Sequence, residues 1–144
     1  MKIPQAKKYI TDFEQMGFGM FVHWGLYSQI GKGEWIYKLD NIKMTDYERL
    51  KDTFTAENFD AEQLVLTAKK AGCKYITLTT RHHEGFSLYD TCGLSDFDAP
   101  HSPAGRDLIK NMWMHAENMI LYRSSITPLL TGTIRILKII LMTI

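Results

Sequence analysis

Residues 60–80 read DAEQLVLTAKKAGCKYITLTT, and the two halves of this stretch follow different periods. In the first half, Ala61, Leu64, Val65 and Ala68 recur at the spacing of one helical face. Asp60 precedes them with Gln63 three positions on, the pattern of a capping box, and Gly72 follows Lys69 and Lys70 as a stop. In the second half, Lys74 to Thr80 is rich in β-branched and aromatic residues, which predicts a strand. A helix running directly into a strand is half of a βαβ unit.

The flanking segments extend the pattern. Gly17 to Gly25 (GFGMFVHWG) is an apolar run of strand length bounded by glycines. It lacks polar alternation, which predicts a strand buried on both faces, as in a parallel sheet. Lys8 to Gln15 suits a short opening helix, and Leu26 to Phe54 predicts a long loop with one or two helical turns. After the second strand, a polar loop with Asp96, Asp98 and Pro100 leads to Ser102-Pro103, which predicts the start of another helix. Strand, helix, strand, helix in this order implies an α/β fold with a parallel sheet.

Composition narrows the class. The chain has 144 residues, 45% apolar and 23% charged, the balance of one folded domain. A net charge of +1 supplies no long-range field for nucleic acid or anionic lipid, so neither is an expected partner. The two cysteines, Cys73 and Cys92, make no disulfide framework, and Cys73 is expected as a buried thiol. The N-terminus MKIPQAKKYITDFEQ has no apolar core of a secretory signal, so the chain as given is expected in the cytoplasm.

In parallel α/β folds the side chains at the C-terminal ends of strands face the ligand crevice. His23-Trp24 and His82-His83 both fall at such ends. Imidazoles donate and accept hydrogen bonds to ring hydroxyls, and an indole offers a flat apolar face to a pyranose. Glu34-Trp35, in the loop between, adds a carboxylate and a second flat ring. Each residue alone equally suits a hydrogen-bonded core histidine or a packed tryptophan; it is the convergence of two pairs that suggests a sugar site. A metal site is the competing reading. Adjacent His82 and His83 on an extended backbone point to opposite sides, and no His-x3-His or Cys-x2-Cys spacing accompanies them. No phosphate loop, nucleophile elbow or cofactor motif is present.

FGMFVHWGLYS, the GEW that follows, FDAEQLVLTAKKAGCKYITLTTRHHEGFSLYD and SPAGRDLIK together resemble the opening of the retaining α-L-fucosidase family, glycoside hydrolase family 29. The match runs from about Gly17 to Lys110 with the motifs in family order. The resemblance implies the N-terminal portion of a (β/α)8-like barrel, its first two βα units, that releases terminal L-fucose from oligosaccharides or glycoconjugates with retention of configuration. Carried over by motif, it implies that His23, Glu34, Trp35, His82 and His83 contact the fucose, without cofactor or metal. It assigns Glu84 no catalytic role. The family's nucleophile Asp and its acid/base are expected downstream, so no catalytic residue is expected in this chain, which by itself is expected to be inactive. A retaining glycosidase needs two carboxyl groups about 5–5.5 Å apart.

The segment after Lys110 breaks the resemblance. Met and Trp have single codons, so a shifted reading is partly recoverable. Taking the third base of each codon with the next two, Met112-Trp113 forces Val, Trp113-Met114 forces Asp, Met114-His115 forces Ala and Met119-Ile120 forces Asp. With allowed synonymous codons the stretch from Lys110 becomes KYVDACREHDIIPFFYHSLLDWYHPD, which resembles the family's next helix and strand. Residues 1–110 are therefore expected to be the N-terminal part of the catalytic barrel, and 111–144 a non-homologous tail read out of frame. Its apolar end, Ile134 to Ile144, carries Arg135 and Lys138 and is shorter than the ~20 residues of a membrane span.

Overall fold

The computed structural model describes residues 7–118 and 122–126, and within them three strands form one parallel sheet. Its order is β1 (Gly19–Val22), β2 (Tyr75–Thr79), β3 (Tyr122–Ile126). The apolar segment Ile134 to Ile144 and the first six residues lie outside the described residues. The register pairs Gly19 with Tyr75 through Val22 with Leu78, and Tyr75 with Tyr122 through Thr79 with Ile126.

α1 (Lys8–Met16) precedes β1, and α5 (Ala61–Lys70) precedes β2 as the sequence predicts. The Asp60 carboxylate accepts a hydrogen bond from the Gln63 backbone N–H at 2.9 Å, so the N-cap forms where the capping pattern placed it. α5 turns Ala61, Val65 and Ala68 inward. α6 (Leu108–Asn118) contributes Leu108, Ile109, Met112 and Ala116, and Ile76 and Leu78 of β2 complete the core. Gly19 is fixed by packing: a Cβ there would lie 2.3 Å from the Tyr75 ring across the β1–β2 pair.

Three expectations need correction. β1 is not buried on both faces: Phe21 is 54% exposed, because β1 lies at the edge of the described sheet. β2, flanked on both sides, is buried from Ile76 to Thr79. The 26–54 segment is more ordered than a loop with one or two turns. It holds α2 (Tyr27–Ile30), α3 (Ile36–Leu39), α4 (Met44–Glu48) and a 3-10 turn over Arg49–Thr53. Their Tyr27, Ile36 and Tyr47 pack into the core, which stabilises helices too short to stand alone. The last helix starts at Leu108 rather than Ser102-Pro103. The Ser102 hydroxyl instead donates to the Ala99 and Phe54 carbonyls at 2.7 and 3.1 Å, tying that turn to the loop before it.

Two βα units were expected up to Lys110, yet α6 runs through that boundary and β3 adds a third strand. Cys73 is buried and Cys92 exposed, both as free thiols. Among the described residues no helix is long and apolar enough to cross a membrane.

Cap and core contribute on different scales. Asp60→Ala is expected to lower unfolding free energy by about 1 kcal/mol, and Ile76→Ala, fully buried in the central strand, by about 2–5 kcal/mol. Urea denaturation of the two variants checks both; equal losses would mean that β2 is not the centre of the core.

Candidate functional site

The β1–β2 register decides where the site forms. Val22 pairs with Leu78, so the chain leaves β1 at His23 beside Thr79, whose hydroxyl accepts from the Trp24 backbone N–H at 3.3 Å. β2 ends one residue later, and Arg81 bridges to Ser87, folding the chain back on itself. Gly85, with φ of 96°, closes the turn by donating its N–H to the His82 carbonyl at 3.1 Å. Farther along, Leu88 N–H donates to the Thr80 carbonyl at 2.8 Å, while Phe86 and Leu88 are buried. The loop that carries the histidine pair is therefore anchored into the core.

This turn changes the relation of His82 and His83. On an extended strand they would diverge; here their rings meet edge to face with centroids 4.9 Å apart. His82 is buried at 6% exposure and His83 is half-buried. His23 comes within 5.6 Å of the His82 ring from the other strand end. Trp35 precedes α3 and stacks on His83 at 4.8 Å, and its ring lies edge to face with His82 at a centroid distance of 6.0 Å. It remains 45% exposed, a flat face open to solvent. Glu34, next to it, is half-buried and acts electrostatically on His23. Four of the five residues singled out in the sequence, His23, Trp35, His82 and His83, thus form one ring cluster, with Glu34 acting on it electrostatically.

Trp24 is the exception to the paired reading. Its ring stacks on Phe59 at 4.7 Å with an interplanar angle of 10° and sits 5.4 Å from Phe54. It lies on the lining of a separate groove of about 640 Å³ with Phe54, Phe59 and Leu64, a lining that includes none of the five residues. The residue-by-residue reading of His23-Trp24 as a joint sugar platform is corrected accordingly: a residue step turns His23 outward to the cluster and Trp24 toward α5.

Two residues join the cluster without a sequence signal. Tyr27 is buried, its ring 5.0 Å from His82 and 6.4 Å from His23. Glu84 is buried and its Oε2 lies 2.8 Å from His82 Nδ1. Tyr27 stands in no recognisable spacing to the histidines, and the i,i+2 relation of His82 and Glu84 becomes a contact only because the chain turns. Gly25 is tied to Tyr27, since a Cβ on it would approach the phenol ring at 2.8 Å.

Comparison with known proteins gives the family. The family profile described as Alpha-L-fucosidase matches residues 2–126. The chain belongs to the alpha-L-fucosidase family. The rat plasma alpha-L-fucosidase is 32% identical over 122 aligned residues, which cover 74% of this chain and 27% of the relative. The chain thus spans about a quarter of the length of the curated relatives it matches. Among solved structures, alpha-L-fucosidase isoenzyme 1 from Paenibacillus thiaminolyticus superposes with a TM-score of 0.80 at 38% identity, covering 83% of this chain and 28% of that one. The alpha-L-fucosidase AlfC from Lactobacillus casei, solved with its alpha-L-fucose product, superposes with a TM-score of 0.77 at 29% identity, covering 84% and 41%.

In this fucosidase-family chain two imidazoles of the cluster, His23 and His83, are shifted toward the neutral form. Burial of its inner side, reinforced by His82, lowers the pKa of His23, against the opposing pull of Glu34. Burial, then His82 and Lys38, lowers that of His83 despite Glu84. Tyr27 is pushed up to about 12 by burial and by Glu84 and Glu34, with the Thr79 hydroxyl working against the shift. Neutral rings keep both a donor and an acceptor for an uncharged ligand. Among the described residues no group of three or more His, Cys, Asp or Glu lies close enough to hold a metal ion.

Beyond the cluster, Asp98 is fully buried and pins the loop. Its carboxylate accepts from Thr91 Oγ1 at 2.9 Å and from His101 Nδ1 at 2.7 Å. Burial alone would raise its pKa, but these hydrogen bonds hold it below 3.8. His101 is raised in turn, first by that hydrogen bond and then by the charge of Asp98. The two histidine classes act oppositely on stability. His23 and His83 resist protonation when folded, so a penalty appears as pH falls from 6.5 toward their lowered values. The contribution of His101 is complete below 6.5 and is lost as pH rises through its raised value. Proton NMR titration of the imidazole Cε1–H signals is expected to place His23 and His83 below 6.5 and His101 above it. The reverse order would refute this assignment of environments.

Proposed function

We propose that this chain supplies the sugar-recognition part of a retaining α-L-fucosidase, built as the first strands of a (β/α)8 barrel. A single fucose ring sits over Trp35, with His23, His82 and His83 at its hydroxyls and Glu34 as a further acceptor. The observation that carries this reading is the gathering of three imidazoles and an exposed indole from two strand ends and one loop. An uncharged, hydroxyl-rich ring with one apolar face suits such a surface: indole meets C–H groups, and neutral imidazoles exchange hydrogen bonds. The Lactobacillus casei relative, bound to its fucose product, supports the same choice of ligand. The partner is then a fucosylated oligosaccharide or glycoconjugate.

Retaining chemistry needs a nucleophile and an acid/base about 5–5.5 Å apart. Of the two carboxylates at the cluster, Glu84 is sealed against His82 and Glu34 flanks the ring site. Neither is proposed as nucleophile or acid/base, so these 144 residues bind without turning substrate over. Isothermal titration with L-fucose is expected to give binding that Trp35→Ala and His23→Ala each weaken about tenfold or more, equivalent to about 1.4 kcal/mol. A chromogenic fucoside is expected to release no product. Binding unaffected by either variant, or measurable turnover, would overturn the reading.

We also propose that residues 111–144 are translated out of frame. Support comes from the four forced residues, Val, Asp, Ala and Asp, which agree with the family's next helix and strand. The family profile matches through residue 126 in the present frame, which weighs against a shift as early as Lys110. The nucleotide sequence across the Lys110 codon is expected to open into an uninterrupted family frame on a one-base shift; an early stop in that frame would end the idea.

A further inference from the structure

Glu84 is a buried carboxylate that the fucose-binding reading leaves without a role. Its side chain is 2% exposed, that of His82 is 6%, and Oε2 lies 2.8 Å from His82 Nδ1. Its other oxygen, Oε1, is sealed and has no hydrogen-bond partner among the described residues. The hydrogen-bonding capacity that Glu84 does use is therefore spent on one ring nitrogen. Burying a carboxylate is costly unless the contact it makes is specific. Placing one two residues from a ligand-facing histidine, inside a turn closed by Gly85, asks for a reason beyond packing.

We propose that Glu84 is a positioning residue: it holds His82 as the Nδ1–H tautomer, so that Nε2 meets the sugar as a hydrogen-bond acceptor. This rests on the fucose-binding reading above. An ionised carboxylate only accepts hydrogen bonds, so the nitrogen facing it carries the proton. The tautomer of a histidine is set by the bond its second nitrogen makes, the device that also orients metal-bound histidines. The opposite edge of the ring is available. Nε2 is not one of the sealed, unpartnered polar atoms, and no hydrogen bond from a described residue occupies it. Tyr27, His83 and His23 press on the ring with centroids 5.0, 4.9 and 5.6 Å away, so its plane is fixed as well as its proton. A fixed acceptor selects a ligand hydroxyl that donates. Free imidazole favours the Nε2–H form, so removing the carboxylate turns this acceptor into a donor.

Long-range ¹H–¹⁵N correlation spectra of the full chain at pH 8, above the ordinary histidine value of 6.5, read the tautomer directly. His82 is expected to show a protonated Nδ1 and a bare Nε2. Glu84→Gln, whose amide oxygen still accepts from Nδ1–H, is expected to keep that pattern and L-fucose affinity within about threefold. Glu84→Leu is expected to move His82 toward Nε2–H and to weaken L-fucose by about tenfold or more, with thermal unfolding confirming that the variant folds. An Nε2–H tautomer in the unsubstituted chain overturns the proposal, as does a reversed tautomer with unchanged affinity. Where Glu84→Leu fails to fold, the unsubstituted spectrum and Glu84→Gln decide. A chain with the Nδ1–H tautomer but no affinity for L-fucose would instead sink the fucose reading and leave the positioning of His82 standing.

Discussion

The pairing of β1 with β2 is the constraint on which the rest depends. Once Val22 lies opposite Leu78, His23 leaves one strand beside Thr79 and the histidine pair follows three residues later on the next. A slip of one residue would send His23 toward α5 and Trp24 toward the cluster, exchanging a polar ring for the one that packs on Phe59. The register is itself held by close packing: a Cβ at Gly19 would clash with the Tyr75 ring as it lies, and Ile76 and Leu78 are fully buried. Core packing and site geometry are therefore one arrangement seen from two ends of the same strands.

The elements whose burial pattern is local were legible in the sequence. α5 and β2 carry their own evidence: a capped 3.6-residue period, then a β-branched run. The four short helical pieces between Tyr27 and Thr53 were not, because none has an apolar stripe long enough to register as a period. Tyr27, Ile36 and Tyr47 anchor the three α-helical pieces one residue at a time into a core assembled by distant strands. The helix boundary at Leu108 was missed for a related reason. Ser102-Pro103 has the chemistry of a helix start, but its hydroxyl is taken by carbonyls from the preceding loop.

The resemblance named His23, Glu34, Trp35, His82 and His83 as a candidate set, and strand-end logic placed His23 and the His82-His83 pair at one end, where their rings do meet. The division of labour within His23-Trp24 could not be read from the sequence, since it depends on which way each side chain leaves the strand. Nor could the relation of His82 to Glu84 and Tyr27, which exists only after a tight turn and a helix from another segment converge. The result is a cluster of three imidazoles, two of them with pKa values lowered first by burial, beside a buried acid and an exposed indole.

Membership of the alpha-L-fucosidase family and the ring cluster together motivate the central proposal, that these rings hold one sugar together. Intermolecular nuclear Overhauser effects between L-fucose and the aromatic protons of the folded chain test it most directly. The account predicts contacts from one bound sugar to Trp35, His23 and His83 in the same complex. Contacts confined to Trp24, Phe54 and Phe59 in the neighbouring groove, with the fold intact, would contradict it.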